Sequence, residues 1–136
     1  MQTLGYIPGV WDLLHAGHVE TLERAANLCD RLIVGVAGDD AVTLDKGEGP
    51  AIQDVYRANM VGSLWMVDTA VVYPDLDFIH HLSMFRPDVM FVGMYWGVDQ
   101  RHIEAEAWCR INSCRMIRLP YSKLETSTDI KLRIRG

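Results

Sequence analysis

The sequence predicts one α/β domain built on a doubly wound, five-stranded parallel sheet. Three observations lead there. Short apolar runs alternate with amphipathic stretches along the chain, the pattern of successive βαβ units. Two of those runs, "RLIVGVA" (31–37) and "DVMFVG" (88–93), are apolar almost throughout, as strands covered on both faces are. The 136 residues, 49% hydrophobic and 23% charged, suffice for one core without disulfide or metal staples.

The elements follow in order. "TLGYI" (3–7) is the first strand, ended by Pro8-Gly9. From His18 to Cys29 the residues Val19, Leu22, Ala25, Ala26 and Cys29 keep helical spacing. "RLIVGVA" is the second strand. "GDDAVTLDKGEGPAI" (38–52) is a polar, glycine-rich connection with room for one helical turn, and long connections in compact domains are often functional. A helix spans Gln53 to Val67, and "TAVVY" (69–73) is a strand. Phe78, Ile79, Leu82 and Phe85 mark a helix that stops before Arg86-Pro87. After the strand "DVMFVG" comes a helix over 101–113, with Ile103, Ala107 and Ile111 on its apolar side. "RMIRL" (115–119) is an edge-like last strand, and a short helix starts at Ser127. No repeat, linker or low-complexity tract interrupts the chain.

A formal net charge of -5 speaks against a nucleic-acid partner. It leaves anionic small molecules open, because a local cluster of His, Lys and Arg overrides the global sign. Cys29, Cys109 and Cys114 are odd in number and irregularly spaced, so they are read as reduced thiols rather than a disulfide framework or zinc site. No apolar run is long enough to span a membrane, and the N-terminus has no signal-peptide pattern. A cytoplasmic protein is expected.

In sheets of this kind ligands bind beyond the carboxyl ends of the strands. The first strand ends directly before "WDLLHAGH" (11–18). A helix N-terminus there offers unpaired N–H groups and partial positive charge. His15 and His18, three apart, can face the same way, and Gly17 permits close approach to the backbone. Such a set suits a polyphosphate whose charge grows during reaction. The competing reading gives one histidine a capping or packing role.

Arg57 shares an apolar helix face with Met60, Val61 and Leu64. It therefore needs an anionic partner: an acidic residue or, favoured here, a bound phosphate. "TSTD" (126–129) sets hydroxyls at a helix start, where capping and phosphate binding use the same geometry. His80-His81 lies off its helix's apolar stripe and reads as surface. His102 and Glu106, four apart, read as an outer-face pair of little worth. Trp11 and Trp65 are expected to pack the strand–helix seam, and Met60, Met66, Met84, Met90, Met94 and Met116 to fill the core.

"GVWDLLHAGH" with "TLERA" after it resembles the nucleotidyltransferase superfamily that carries an HxGH signature on a Rossmann-like fold. The nearest looks are the glycerol-3-phosphate cytidylyltransferases and cytidylyltransferase-like relatives. The resemblance runs over nearly the whole chain. "RLIVGVAGDD" resembles the family's second strand, and "KGEGPAIQDVYR" its lysine loop and following arginine. "MVDTAVVYPD" and "RPDVMFVG" resemble its third and fourth strand regions, and "ETSTDIK" its Ser-Thr-Thr segment.

The resemblance implies transfer of a nucleotide from CTP, or less readily ATP, to a phosphorylated small alcohol or polyol. Pyrophosphate would leave without a covalent intermediate. It implies catalytic roles for His15, His18 and Lys46. It implies nucleotide contacts from Gly9, Val10, Trp11, Asp12, Gly17, Arg57, Gly93, Thr126, Ser127 and Thr128. Asp12 is placed as a support residue or beside magnesium. No metal ligand is assigned to the chain, and Mg²⁺ is expected to arrive with the triphosphate. A homodimer is implied as well.

The chain departs from the glycerol-3-phosphate enzymes in two places. Where they have Arg-Thr-Glu-Gly-Ile, "YSKLE" (121–125) puts Tyr121 for the arginine and Leu124 for the glycine; Lys123 matches in charge only. "GMYW" (93–96) lacks their acidic pair, leaving Met94 and Tyr95 to stack on a base or close the pocket. The loop "KGEGPAI" is also similar to that of adenylyltransferases acting on heptose phosphates. CTP and ATP both stay open, as do a nucleotide-binding module with little turnover and an assembly subunit.

Overall fold

The computed structural model describes all residues except 1, 75–77, 94, 95, 98, 121, 123 and 125. Strands β1 (Leu4–Gly9), β2 (Arg31–Ala37), β3 (Thr69–Tyr73), β4 (Val89–Val92) and β5 (Arg115–Arg118) form one sheet in the order β3-β2-β1-β4-β5. Every pairing is parallel. Among the described residues six helices connect or follow them: α1 (Ala16–Ala26), α2 (Asp39–Lys46), α3 (Asp54–Gly62), α4 (Ile79–Phe85), α5 (Gln100–Ile111) and α6 (Ser127–Arg135). None of the described helices is long and apolar enough to cross a membrane.

The side-chain period of a strand splits the core in two. Leu32, Val34 and Val36 of β2 face one layer with Leu22 of α1 and Val61 of α3. Ile33 and Ala37 face the other, with Val42 of α2, Leu82 of α4 and Cys109 of α5. Full burial on both sides explains why β2 and β4 read as continuous apolar runs. The chain order reverses on either side of β1, so the carboxyl end of β1 is the switch point where such sheets hold ligands.

Several expectations are corrected. β1 does not stop at Pro8-Gly9 but runs through it, with Pro8 opposite Gly35 and Gly9 opposite Val36. β1 pairs with β4 only at Gly5 and Tyr6, so its last residues have one open side where proline is tolerated. The connection 38–52 holds two turns of helix, α2. Asp39 and Asp40 complement its N-terminus and Gly47, at φ 82°, ends it in the left-handed conformation. α3 ends at Gly62, well short of Val67, and Trp65 stands 83% exposed instead of packing a seam.

On α5 the larger apolar residues Ile103 and Ile111 face out, while the smaller Ala105 and Cys109 are buried. Ala105 and Cys109 pack there with Leu82 and Met90, and Trp108 of the same helix packs partly buried against them. His81 is not on the surface. It is buried in α4, and its Nδ1 lies 2.7 Å from the Tyr6 hydroxyl. Burial pushes the Tyr6 phenol up. Met66 and Met90 are core residues, whereas Met60 and Met84 are exposed. Met94 lies outside the described residues. The three cysteines are free thiols.

Candidate active site

The segment Val10–His15 joins β1 to α1 under strain. Trp11 and Leu13 have φ of 60° and 53°, a region costly for side chains with a Cβ. The surroundings hold them there. Trp11 is buried and its indole Nε1 donates to the Gly35 carbonyl at 3.0 Å. The same ring packs on Gly9, where a Cβ would sit 2.7 Å from an indole carbon. Glycine is required at 9 by this packing.

Asp12 is buried, and its carboxylate accepts the Ala51 and Ile52 N–H groups at 2.7 and 3.0 Å. Lys131 Nζ stands 3.6 Å from the same carboxylate, and Ser127 Oγ donates to the Asp12 carbonyl at 2.6 Å. Of the two expected roles, support is the one that the geometry displays.

Arg57 is buried and wholly committed to the protein. Its guanidinium donates to Ile52 O at 2.8 Å, to Val10 O at 2.6 Å and to Asp39 Oδ1 at 2.7 Å. The anionic partner is thus an acidic residue, Asp39, not a free position waiting for phosphate. Arg57 also lies outside the lining of the cleft described below. Its sequence pattern carried the need for a partner but not which partner, because Asp39 is brought there by α2.

His15 is the N-cap of α1, and its Nδ1 accepts the His18 backbone N–H at 3.3 Å. An accepting Nδ1 leaves the ring proton on Nε2. The rings of His15 and His18 stack with centroids 3.7 Å apart and planes 20° apart. The Trp11 ring meets His18 edge-on at 5.3 Å. His18 Nδ1 is buried without a hydrogen-bond partner. A proton on Nε2 leaves only a lone pair unsatisfied there, which costs less than an orphaned N–H. Burial, then the neighbouring His15 and Lys46, push the His18 imidazole down to about 4 against the opposing pull of Asp12. Burial lowers His15 too, with Asp129 acting the other way. Near neutral pH both are uncharged N–H donors.

A cleft of about 980 Å³ opens at the carboxyl end of β1. His15, Gly17 and His18 line it, as do Gly9, Val10, Trp11, Asp12 and Gly93. Lys46 enters from the end of α2, and Thr126, Ser127 and Thr128 from the start of α6. Thr126 is also an N-cap, accepting the Asp129 N–H at 3.1 Å, so capping and cleft lining coexist. Sequence reasoning missed Lys131 and Arg135, which line the cleft from α6. Their four-residue spacing was the available signal. Tyr121, Lys123 and Tyr95 lie outside the described residues.

His102 is more than a surface residue. Its ring stacks on Trp96 with centroids 3.9 Å apart, its Nδ1 accepts the Gly97 N–H at 2.9 Å, and Trp96 Nε1 donates to Glu106 at 3.2 Å. This cluster ties Trp96 and Gly97 to α5.

Comparison with known proteins agrees with this geometry. The cytidylyltransferase-like family model matches residues 6–118. The bifunctional protein HldE of Acidiphilium cryptum is 41% identical over 108 residues, 77% of this chain and 22% of that protein. HldE of Pseudomonas savastanoi pv. phaseolicola is 44% identical over 93 residues, 68% of this chain and 20% of that one. The chain therefore spans about a fifth of the length of the curated relatives it matches. A lipopolysaccharide core biosynthesis protein from Thermoplasma volcanium has the same fold, with TM-score 0.78 and 23% identity over 90% of this chain and 100% of that one. The chain belongs to the cytidylyltransferase-like family of nucleotidyltransferase domains.

Proposed function

We propose that this domain transfers a nucleoside monophosphate from a nucleoside triphosphate to a phosphorylated small molecule and releases pyrophosphate. The observation that carries the reading is the stacked His15–His18 pair at the N-terminus of α1, opening on a cleft that Lys46 also lines. An oxygen of the acceptor phosphate attacks the α-phosphorus. The new P–O bond forms as the bond to the β-phosphate bridge breaks, and the electron pair leaves with pyrophosphate. The chain supplies position and electrostatics. The imidazole Nε2–H groups and the first N–H groups of α1 donate to phosphate oxygens, and Lys46 adds a cation. His18 is half-buried at the cleft wall, and the reduced solvent there strengthens its donation.

Among the described residues no group of three His, Cys, Asp or Glu is placed to hold a metal by itself, and the Asp12 carboxylate accepts two N–H groups with Lys131 beside it. A magnesium ion in this reaction belongs to the triphosphate.

ATP with a sugar phosphate is the favoured substrate pair. Similarity to HldE proteins over most of the chain supports an ADP-heptose-type transfer, and the loop "KGEGPAI" resembles that class. CTP with a polyol phosphate is the second reading, supported by the family model. Pairing of two copies belongs to either, and sedimentation velocity tests it. Calorimetric titration with ATP and with CTP, each with Mg²⁺, followed by pyrophosphate release over a panel of sugar and polyol phosphates, tests the assignment. Binding of ATP and turnover with a sugar phosphate is expected. A folded protein that binds neither nucleotide overturns it.

A further inference from the structure

Two walls of the cleft meet at one residue, Asp12. α6 forms one wall through Ser127, Thr128, Lys131, Leu132 and Arg135. It buries none of its residues, and Leu132 and Ile134 point their apolar side chains into solvent. Apolar packing therefore contributes little to holding it in place. Among the described residues, Ser127 Oγ donates to the Asp12 carbonyl and Lys131 Nζ stands beside the Asp12 carboxylate, and both contacts tie α6 to the motif loop. The other wall, Glu48–Pro50, runs directly into Ala51 and Ile52, whose N–H groups the same carboxylate accepts. Arg57 grips the far side of Ile52 through its carbonyl and so holds that anchor rigid.

We propose that Asp12 is a positioning residue that couples the two walls, so that α6 docks over the cleft through Asp12 and a bound triphosphate is enclosed only while that link holds. A carboxylate suits the position because two backbone N–H groups and the Lys131 ammonium converge on it, and the carboxylate itself is buried. The coupling of walls stands on the geometry alone; its effect on the triphosphate rests on the nucleotidyltransferase reading.

Residue-resolved amide exchange on the full chain tests the link. In Asp12→Asn the volume is kept, but the amide NH₂ opposes a backbone N–H and the charge facing Lys131 is lost. Exchange should rise roughly tenfold both at Ala51 and Ile52 and along α6, relative to β1–β5. Lys131→Met and Ser127→Ala should speed α6 alone. Asp12→Asn/Lys131→Met should leave α6 no faster than Asp12→Asn does, because the two share one contact. The proposal is overturned if α6 stays protected in Lys131→Met and Ser127→Ala, if the double variant shows additive rates, or if Asp12→Asn speeds the sheet as much as the walls. In turnover assays Asp12→Asn should raise KM for the triphosphate more than it lowers kcat. An unchanged KM with a loosened α6 overturns the enclosure of nucleotide. A wild-type protein that binds no nucleotide sinks the functional reading and leaves the exchange result standing.

Discussion

The imidazoles of His15 and His18 lie face to face, their centroids 3.7 Å apart. Two protonated rings at that distance would repel, and the Lys46 cation adds to the penalty on His18. The pair is therefore neutral near pH 7, against the opposing pulls of Asp129 on His15 and Asp12 on His18.

The pH dependence of folding should carry this signature. The His18 ring titrates near 6.5 when unfolded and at about 4 when folded. Between those values the unfolded chain binds the extra proton, so stability falls as pH drops from 6.5 and levels off below about 4. Urea denaturation across that range should show a shallower loss in His18→Asn than in wild type. Parallel curves would refute the depressed imidazole.

Triphosphate binding should take up protons. A phosphate against the stacked pair favours imidazolium and raises both titrations toward the ordinary histidine range. Calorimetry at pH 6 in two buffers of different ionisation enthalpy should give net uptake. Zero uptake would mean that phosphate does not contact these rings.

Loss of the His18 donor should be expressed in turnover. His18→Ala should keep the circular-dichroism spectrum and lose on the order of 10²–10³ in kcat, the scale of one oxyanion-type donor. Pyrophosphate release is the assay, and an unchanged rate removes His18 from the mechanism.

Arg57 should behave as a fold residue. Arg57→Ala strands the Val10 and Ile52 carbonyls and unpairs Asp39, whose side chain is 37% exposed, so the cost is about 1–3 kcal/mol for each buried group left unsatisfied. Arg57→Lys should recover only part, since one ammonium cannot reach three directions of the guanidinium fork. The urea midpoint should shift in both, and an unshifted midpoint with weakened nucleotide binding would instead restore the phosphate reading.

Gly9→Ala should displace the Trp11 indole. The new methyl would overlap a ring pinned by its bond to Gly35, at a cost of about 1–3 kcal/mol. Near-UV circular dichroism should change, and nucleotide affinity should fall with it. An unaltered spectrum would mean that the loop relaxes without strain.

Residues that act through their neighbours in sequence were legible from the start. The apolar runs mark the strands, because burial on both faces leaves β4 wholly apolar and β2 apolar after its exposed first residue, Arg31. His15, Gly17 and His18 fall within four residues at a helix start, so their convergence is a local matter. α2 was read too short because its two buried residues, Ala41 and Val42, are adjacent rather than periodic. Ile103 and Ile111 are apolar yet exposed while Ala105 and Cys109 of the same helix are buried, so apolar spacing alone does not fix the buried side of α5.

By itself the sequence determined a parallel α/β domain and the location of its cleft, since both follow from short-range periodicity and from where a strand meets a helix. Partner choice belonged to the tertiary structure. Asp39 for Arg57, Tyr6 for His81, and Ser127 and Lys131 for Asp12 are separated by 18 to 119 residues of chain and meet only once the sheet order is set. A buried charge or ring announces that it needs a partner; which partner it takes is decided by the packing that carries both to the same place.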